Sequence, residues 1–109
     1  CKLMKKATEN MRDKIMNLNF NKIKKPLISN FSAKPSMSGS EIKDLLVSQI
    51  EGRVRWLESI EFMINEGTKN FIEIGPGKVL SGLIKRINKN VNIKSLNSEE
   101  DIKGLNSYV

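Results

Sequence analysis

Histidine is absent from the 109 residues, and cysteine, tryptophan and tyrosine occur once each. Without histidine, this stretch of chain cannot assemble a Ser-His or Cys-His catalytic couple by itself. A single cysteine cannot close an internal disulfide and supplies no zinc cluster, so no metal site is expected. It fits a reducing, cytoplasmic setting. No run approaches the roughly 20 apolar residues of a membrane span, and the N-terminus lacks a signal-peptide pattern. Negative charge is also short, with 12 Asp+Glu against 19 Lys+Arg and a net charge of +7. That excess would suit nucleic acid, a membrane or an acidic protein. However, 15 of the 19 cations are lysines scattered among asparagines and isoleucines, the pattern of solvated faces rather than of a nucleic-acid patch. A non-catalytic basic binding module is therefore the alternative to an enzyme, and no nucleic-acid or membrane partner is expected.

The most organised stretch is Asn70 to Arg86. Phe71, Ile72 and Ile74 form a short apolar run with one acid inside it, as in a buried strand. Gly75-Pro76-Gly77 cannot prolong that strand, because proline fixes φ and donates no hydrogen bond. Val79, Leu80, Leu83, Ile84 and Ile87 then recur at helical spacing. Strand, three-residue turn and helix make half of a parallel α/β unit. Two glycines opening a helix can cradle a phosphate, but the Walker and dinucleotide fingerprints are missing, and a steric turn is the better reading.

Around it the chain reads in order. Leu3, Met4, Ala7, Met11, Ile15 and Leu18 form a helical stripe that predicts a core-facing amphipathic helix. Residues 19–25 read as a connection ending at Pro26, 27–31 as a short strand, and 33–39 as a loop. Ser38-Gly39-Ser40-Glu41 has capping-box spacing, which places Ile42, Leu45, Leu46 and Ile50 on one helical face. Glu51-Gly52-Arg53 breaks that helix. Trp56, Leu57, Ile60, Met63 and Ile64 give a second helix closed by Gly67, with Trp56 as a core anchor. Residues 91–96 read as another strand, and Ser98 to Asp101 cap a last helix with Ile102 and Leu105 inward. The strands at 27–31, 70–74 and 91–96 are expected in one parallel sheet, since helices lie in the connections between them. No Gly-x-Ser-x-Gly nucleophile elbow occurs. The chain opens Cys1-Lys2-Leu3-Met4 with neither initiator methionine nor capping residue, which reads as a piece of a longer protein.

Glu73-Ile74-Gly75-Pro76-Gly77-Lys78-Val79-Leu80-Ser81-Gly82-Leu83 resembles the C-terminal signature of the malonyl-CoA:acyl-carrier-protein transacylases. Other stretches agree with it in order. Cys1-Lys2-Leu3-Met4-Lys5 is similar to the tail of a Ser-His-Cys-x-Leu-Met stretch, and Pro26-Leu27-Ile28-Ser29-Asn30 to a Pro-x-x-Ser-Asn strand. Leu46-Val47-Ser48-Gln49-Ile50 with Val54-Arg55-Trp56 is similar to a Leu-x-x-Gln and Val-x-Trp pair. The departures are Ile23 and Lys24, where a proline and a small residue are usual, and Gly52, near a usual Asn-Pro or Ser-Pro.

The resemblance implies that residues 1–109 are the C-terminal part of an acyltransferase catalytic domain. Its fold is a three-layer, α/β-hydrolase-like parallel sheet flanked by helices. The implied activity is transfer of malonyl from malonyl-CoA to the phosphopantetheine thiol of acyl-carrier protein through a seryl ester, in fatty-acid or polyketide synthesis. Coenzyme A thioester and acyl-carrier protein are then substrates, with no further cofactor. The nucleophilic serine and the base histidine lie upstream of Cys1, and Cys1 itself reads as a packing residue. Gln49 is the residue whose backbone carbonyl orients the histidine, since an imidazole presenting Nε2 to serine needs a fixed acceptor at Nδ1–H. Val79 is expected in the substrate-pocket wall. Lys78, Lys85 and Lys89 fall near one side of the signature helix, with Arg86 at its margin. That face is expected to steer the acidic carrier protein.

Overall fold

A computed structural model describes residues 2–107, with side chains described for residues 3–105. Cys1, read above as a packing residue, lies outside the described residues. The chain divides into two compact units, residues 1–62 and 63–109, and each is described in turn.

In the first unit, α1 (Lys2–Met16) packs against α2 (Gly39–Glu51). Lys43 of α2 helps fix the chain between them: its ammonium donates to the Met16 carbonyl at 3.3 Å and lies 5.4 Å from the Phe20 ring. The apolar stripe of α1 does not face a core. Leu3 is 82% exposed, and Met4, Met11 and Leu18 are also exposed, leaving Ile15 half-buried. The helical period is present, but the face it creates is wider than α2 covers.

The expected strand at 27–31 is shorter and pairs differently. β1 (Leu27–Ile28) runs antiparallel to β2 (Pro35–Ser36), with Leu27 opposite Ser36 and Ile28 opposite Pro35. So β1 is not hydrogen-bonded into a parallel sheet, and the loop at 33–39 contains a strand. The chain reverses because Ser29 is buried and its hydroxyl accepts from the Phe31 amide at 3.0 Å, while the Ser29 carbonyl accepts from the Ala33 amide at 2.9 Å. Ala33 sits at φ 56°, a left-handed conformation uncommon for alanine, which no glycine announced.

Helix α2 starts at Ser38, whose hydroxyl accepts from the Glu41 amide at 3.3 Å. Only this half of the expected capping box is present; the Ser38 hydroxyl also meets that of Ser40 at 3.1 Å. The helix stops at Gly52, as expected. A Cβ at Gly52 would lie 2.4 Å from Phe31 Cδ1 and 2.6 Å from the Ser48 carbonyl oxygen, so the Phe31 ring requires glycine there.

Helix α3 (Trp56–Asn65) buries Ser59 and Ile60, and the Ser59 hydroxyl donates to the Arg55 carbonyl at 2.8 Å. Trp56 is half-buried, and its Nε1 is buried without an acceptor among the described residues. At the end of α3, in the second unit, the Gly67 amide donates to the Ile64 carbonyl and the Thr68 amide to that of Met63, both at 3.0 Å. With Gly67 at φ 101°, that pair of bonds is a Schellman motif, as the glycine foretold.

The second unit is the expected α/β element. β3 (Asn70–Ile74), α4 (Val79–Ile87) and β4 (Asn92–Leu96) form a βαβ crossover, with β3 and β4 parallel and Phe71 opposite Ile93. Gly75 at φ 136° and Gly77 at φ 82° make the turn, and the Gly75 amide donates to the Leu96 carbonyl at 3.2 Å. Strand β3 is not buried on both faces: Phe71 and Glu73 are half-buried, whereas Ile72 is exposed and Ile74 is 81% exposed. α5 (Glu99–Lys103) opens on a complete capping box between Ser98 and Asp101 and runs into a short 3₁₀ turn, Gly104–Ser107. Ile102, expected inward, is exposed beside Ile74 in a shallow depression that also contains Leu96.

Candidate functional site

Gln49 lies in the last turn of α2 and is half-buried. Counting back from the cap at Gly52, its carbonyl is the first of the four that have no intrahelical partner. Gln49 also borders an apolar groove of about 180 Å³ formed by Leu27 to Asn30 on one side and Ile42, Leu45 and Leu46 on the other. The two motifs that flank it in sequence are joined directly. The Arg55 amide donates to the Asn30 carbonyl at 2.7 Å, and the Arg55 guanidinium donates to the Ser32 carbonyl at 3.1 Å.

Sequence reasoning passed over Arg55, the middle residue of Val54-Arg55-Trp56, although it ties the end of β1 to the start of α3. Its guanidinium is itself held by Glu58, through Nε at 3.0 Å and through a second, short contact from Nη2. That pairing, with both donors on the same Oε2 oxygen, lowers the Glu58 pKa and raises that of Arg55, in both cases chiefly through the hydrogen bond.

In the second unit the signature stretch turns on a residue that the sequence reading noted only as an acid in an apolar run. The Glu73 carboxylate, projecting from β3, accepts from the Leu80 amide at 3.1 Å and from the Ser81 amide at 2.9 Å. It also accepts from the Ser81 hydroxyl at 2.7 Å. Ser81 and Ser95 hydroxyls meet at 2.8 Å. Ser95 also hydrogen-bonds toward the carboxylate and helps lower its pKa, so both hydroxyls gather at Glu73. The carboxylate thus caps α4 from outside the helix, replacing the cap that Lys78 at the N-cap position does not provide. The bond from the Ser81 hydroxyl, opposed by partial desolvation, leads the causes that hold the Glu73 pKa below its ordinary value. The available signal was the spacing: an acid on the strand, then a serine eight residues on at the third helical position.

Val79 is the first residue of α4 and is 73% exposed. The cations do not share one helical face. α4 ends at Ile87, and Asn88 leaves the helix with φ −152°, its side chain accepting from the Asn90 amide at 2.8 Å. Lys89 therefore lies beyond the helix, in the turn to β4. Lys85 is exposed, yet its ammonium donates to the Val91 carbonyl at 2.9 Å, so it also helps to close that turn. Lys78 and Lys85 border an open depression of about 530 Å³ between α4 and β4. Gln49 belongs to the first unit, and Val79 with the four cations to the second. Among the described residues, no group of three or more Cys, Asp or Glu side chains is placed to hold a metal. No helix among them is long and apolar enough to cross a membrane.

The malonyl CoA-acyl carrier protein transacylase of Staphylococcus aureus (strain MSSA476) is 40% identical over 104 residues, covering 95% of this chain and 34% of that protein. The crystal structure of acyl-carrier-protein-S-malonyltransferase from Bartonella henselae superposes with a TM-score of 0.83 at 38% identity. It covers 93% of this chain and 32% of that one. The chain matches one segment of the malonyl-CoA:acyl-carrier-protein transacylase family. It spans about a third of the length of the curated relatives it matches. A malonyl-transacylase solved in complex with its type II PKS acyl-carrier protein is also similar, with a TM-score of 0.82 and 32% identity. That match covers 98% of this chain and 35% of the neighbour. No family model matches the chain. The fold class expected from the sequence, helices with short parallel strands, agrees with these neighbours.

Proposed function

We propose that this segment is the C-terminal third of an acyltransferase that moves a malonyl group from malonyl-CoA to the thiol of an acyl-carrier protein. The observation that carries this reading is the match of 95% of the chain to a malonyl CoA-acyl carrier protein transacylase at 40% identity. In the proposed reaction a serine oxygen attacks the thioester carbonyl, the coenzyme A thiol leaves, and the carrier thiol then takes the acyl group from the seryl ester. A histidine removes the serine proton, returns it to the departing thiol, and serves the carrier thiol in the same way. Neither residue can come from these 109 residues, which contain no histidine and no nucleophile elbow.

The segment's own contribution is positional. The Gln49 carbonyl, without a helical partner, accepts Nδ1–H of that imidazole and so presents Nε2 to the serine. Val79 contributes to the wall of the acyl pocket. Lys78, Lys85, Arg86 and Lys89 supply positive potential that speeds encounter with an acidic carrier. The neighbour solved with a type II PKS carrier favours, as the second reading, the same transfer in polyketide synthesis. The working compartment is the cytoplasm.

The test is transfer of labelled malonyl from malonyl-CoA to phosphopantetheinylated acyl-carrier protein. The full-length protein carrying this segment is expected to form a hydroxylamine-sensitive malonyl-enzyme ester and to pass the label on. The 109 residues alone are expected to do neither. A full-length protein that forms no ester, or a 109-residue chain that turns over, would overturn the reading.

A further inference from the structure

The Glu73 network has more partners than a helix cap requires. One side chain on β3 holds two backbone amides in the first turn of α4 and one hydroxyl, and through that hydroxyl it reaches Ser95 on β4. Glu73 and Ser95 are register partners across the parallel pair, so the network crosses at a single rung of the sheet. The turn it encloses contains two glycines at positive φ and one proline. In these residues, local steric preference alone leaves many conformations open on either side of Pro76. The first helical residue after that turn is Val79, followed directly by Leu80, whose amide Glu73 holds.

We propose that Glu73 is the positioning residue of the strand-turn-helix. It fixes the first turn of α4, and with it Val79, relative to β3, and so sets the shape of the wall that Val79 presents to the acyl group. The first half of this proposal stands on geometry alone. The second rests on the transferase reading above.

The chemistry explains why a carboxylate is needed. Leu80 N–H, Ser81 N–H and Ser81 O–H are three donors converging on one group, and an ionised carboxylate is acceptor-only with two oxygens able to receive all three. A glutamine at the same place offers one acceptor oxygen and turns an NH₂ toward at least one of these donors. Ser81 contributes twice, through its amide and through its hydroxyl, and that hydroxyl also meets Ser95. Threonine at 81 keeps the hydroxyl and alanine does not, which separates the network from simple helix propensity.

Two measurements test it. In the full-length protein, amide hydrogen exchange is followed at Leu80 and Ser81 in wild type, Glu73→Gln, Ser81→Ala and Ser81→Thr. Protection at these two amides is expected to fall about tenfold or more in Glu73→Gln, the equivalent of one charge-assisted hydrogen bond lost. It is expected to fall less in Ser81→Ala and to stay near wild type in Ser81→Thr. In the full-length protein, the ratio of kcat/KM for malonyl-CoA to that for acetyl-CoA is expected to drop in Glu73→Gln and Ser81→Ala and to recover in Ser81→Thr. A purely structural role would lower both rates together and leave that ratio unchanged.

Unchanged protection at Leu80 and Ser81 in Glu73→Gln overturns the positioning role. Lost protection with an unchanged selectivity ratio overturns the link to the acyl wall. A full-length wild type without transfer counts against the transferase reading, and the exchange result then decides for Glu73 by itself.

Discussion

In residues 63–109 a strand, a turn, a helix and a second strand are bound to one another through the single carboxylate of Glu73. In residues 1–62 the longest helix, α1, leaves Leu3, Met4, Met11 and Leu18 exposed, and the two short strands pair only with each other. The contrast is one of how interactions are distributed along the chain. In the second unit, the bonds that set the turn and the start of α4 join Glu73 to Leu80 and Ser81, seven and eight residues on, while β3 and β4 pair across 22 residues, as between Asn70 and Asn92. In the first, Lys43 reaches back to Met16 and Arg55 to Ser32, separations of 27 and 23 residues. Local determinants follow from spacing and residue type. Distant ones depend on where the chain has already been placed.

The first and largest test of this contrast compares buried and exposed apolar residues in each unit. Ile60 is 1% exposed in α3 and Ile84 is 4% exposed in α4. Ile60→Ala and Ile84→Ala should each cost about 2–5 kcal/mol in urea unfolding, the usual range for emptying a buried isoleucine site. Leu3→Ala should stay within about 0.5 kcal/mol, as for a surface substitution. A loss at Leu3 as large as that at Ile60 would mean that the α1 stripe is buried in solution, and would restore the core-facing helix that the sequence suggests.

A second, smaller test uses two glycines. Gly52 ends α2 under the Phe31 ring, and an added Cβ would sit 2.4 Å from a ring carbon and 2.6 Å from a backbone oxygen. Gly52→Ala should therefore destabilise by about 1–3 kcal/mol, the usual penalty of overpacking. Gly82 lies inside α4 with nothing within 4 Å of an added Cβ. Gly82→Ala should stabilise by up to about 1 kcal/mol, the difference in helix propensity. Thermal melts of both variants against wild type check the two signs. If Gly52→Ala were neutral, the Phe31 contact would not be what sets the end of α2.

These residues also show how far the sequence could be read. Gly75-Pro76-Gly77 between an apolar run and a helical stripe was legible, because proline and glycine restrict φ in ways that any context must respect. Gly67 was legible as a helix stop for the same reason, and Gln49 as a residue near a helix end. The hairpin at 27–36 was not, because Ala33 adopts the left-handed region without glycine and is held there by a bond to Ser29. The end of α4 was missed by two residues: Asn88 competes for the backbone, and a charge pattern alone does not reveal that. Glu73 was visible, but its role requires three donors to converge from a helix that sequence spacing places only approximately. The exposure of the α1 stripe and of Ile74 was hidden entirely, since periodicity identifies an apolar face and not what covers it.

The smallest expected effect separates two serine caps with similar spacing, Ser38 to Glu41 in the first unit and Ser98 to Asp101 in the second. Asp101 accepts from the Asn97 amide at 2.8 Å and from the Ser98 amide at 3.2 Å, whereas Ser38 receives no reciprocal bond from Glu41. The bond from the Asn97 amide leads the causes that hold the Asp101 pKa below its ordinary value, against partial desolvation. A group with a lowered folded pKa adds stability above its unfolded pKa, about 3.9 for aspartate, and that contribution disappears as pH falls through the lower folded value. Amide-exchange protection in α5 should therefore decline on acidification below about pH 4, and Asp101→Asn should flatten that decline. The site is solvent-exposed and screened, so the change should be confined to α5 and its flanking turn. Glu41→Gln should leave protection in α2 unchanged over the same range. If the two substitutions behaved alike, the reciprocal bond in α5 would carry no weight, and the two caps would be equivalent despite their different geometry.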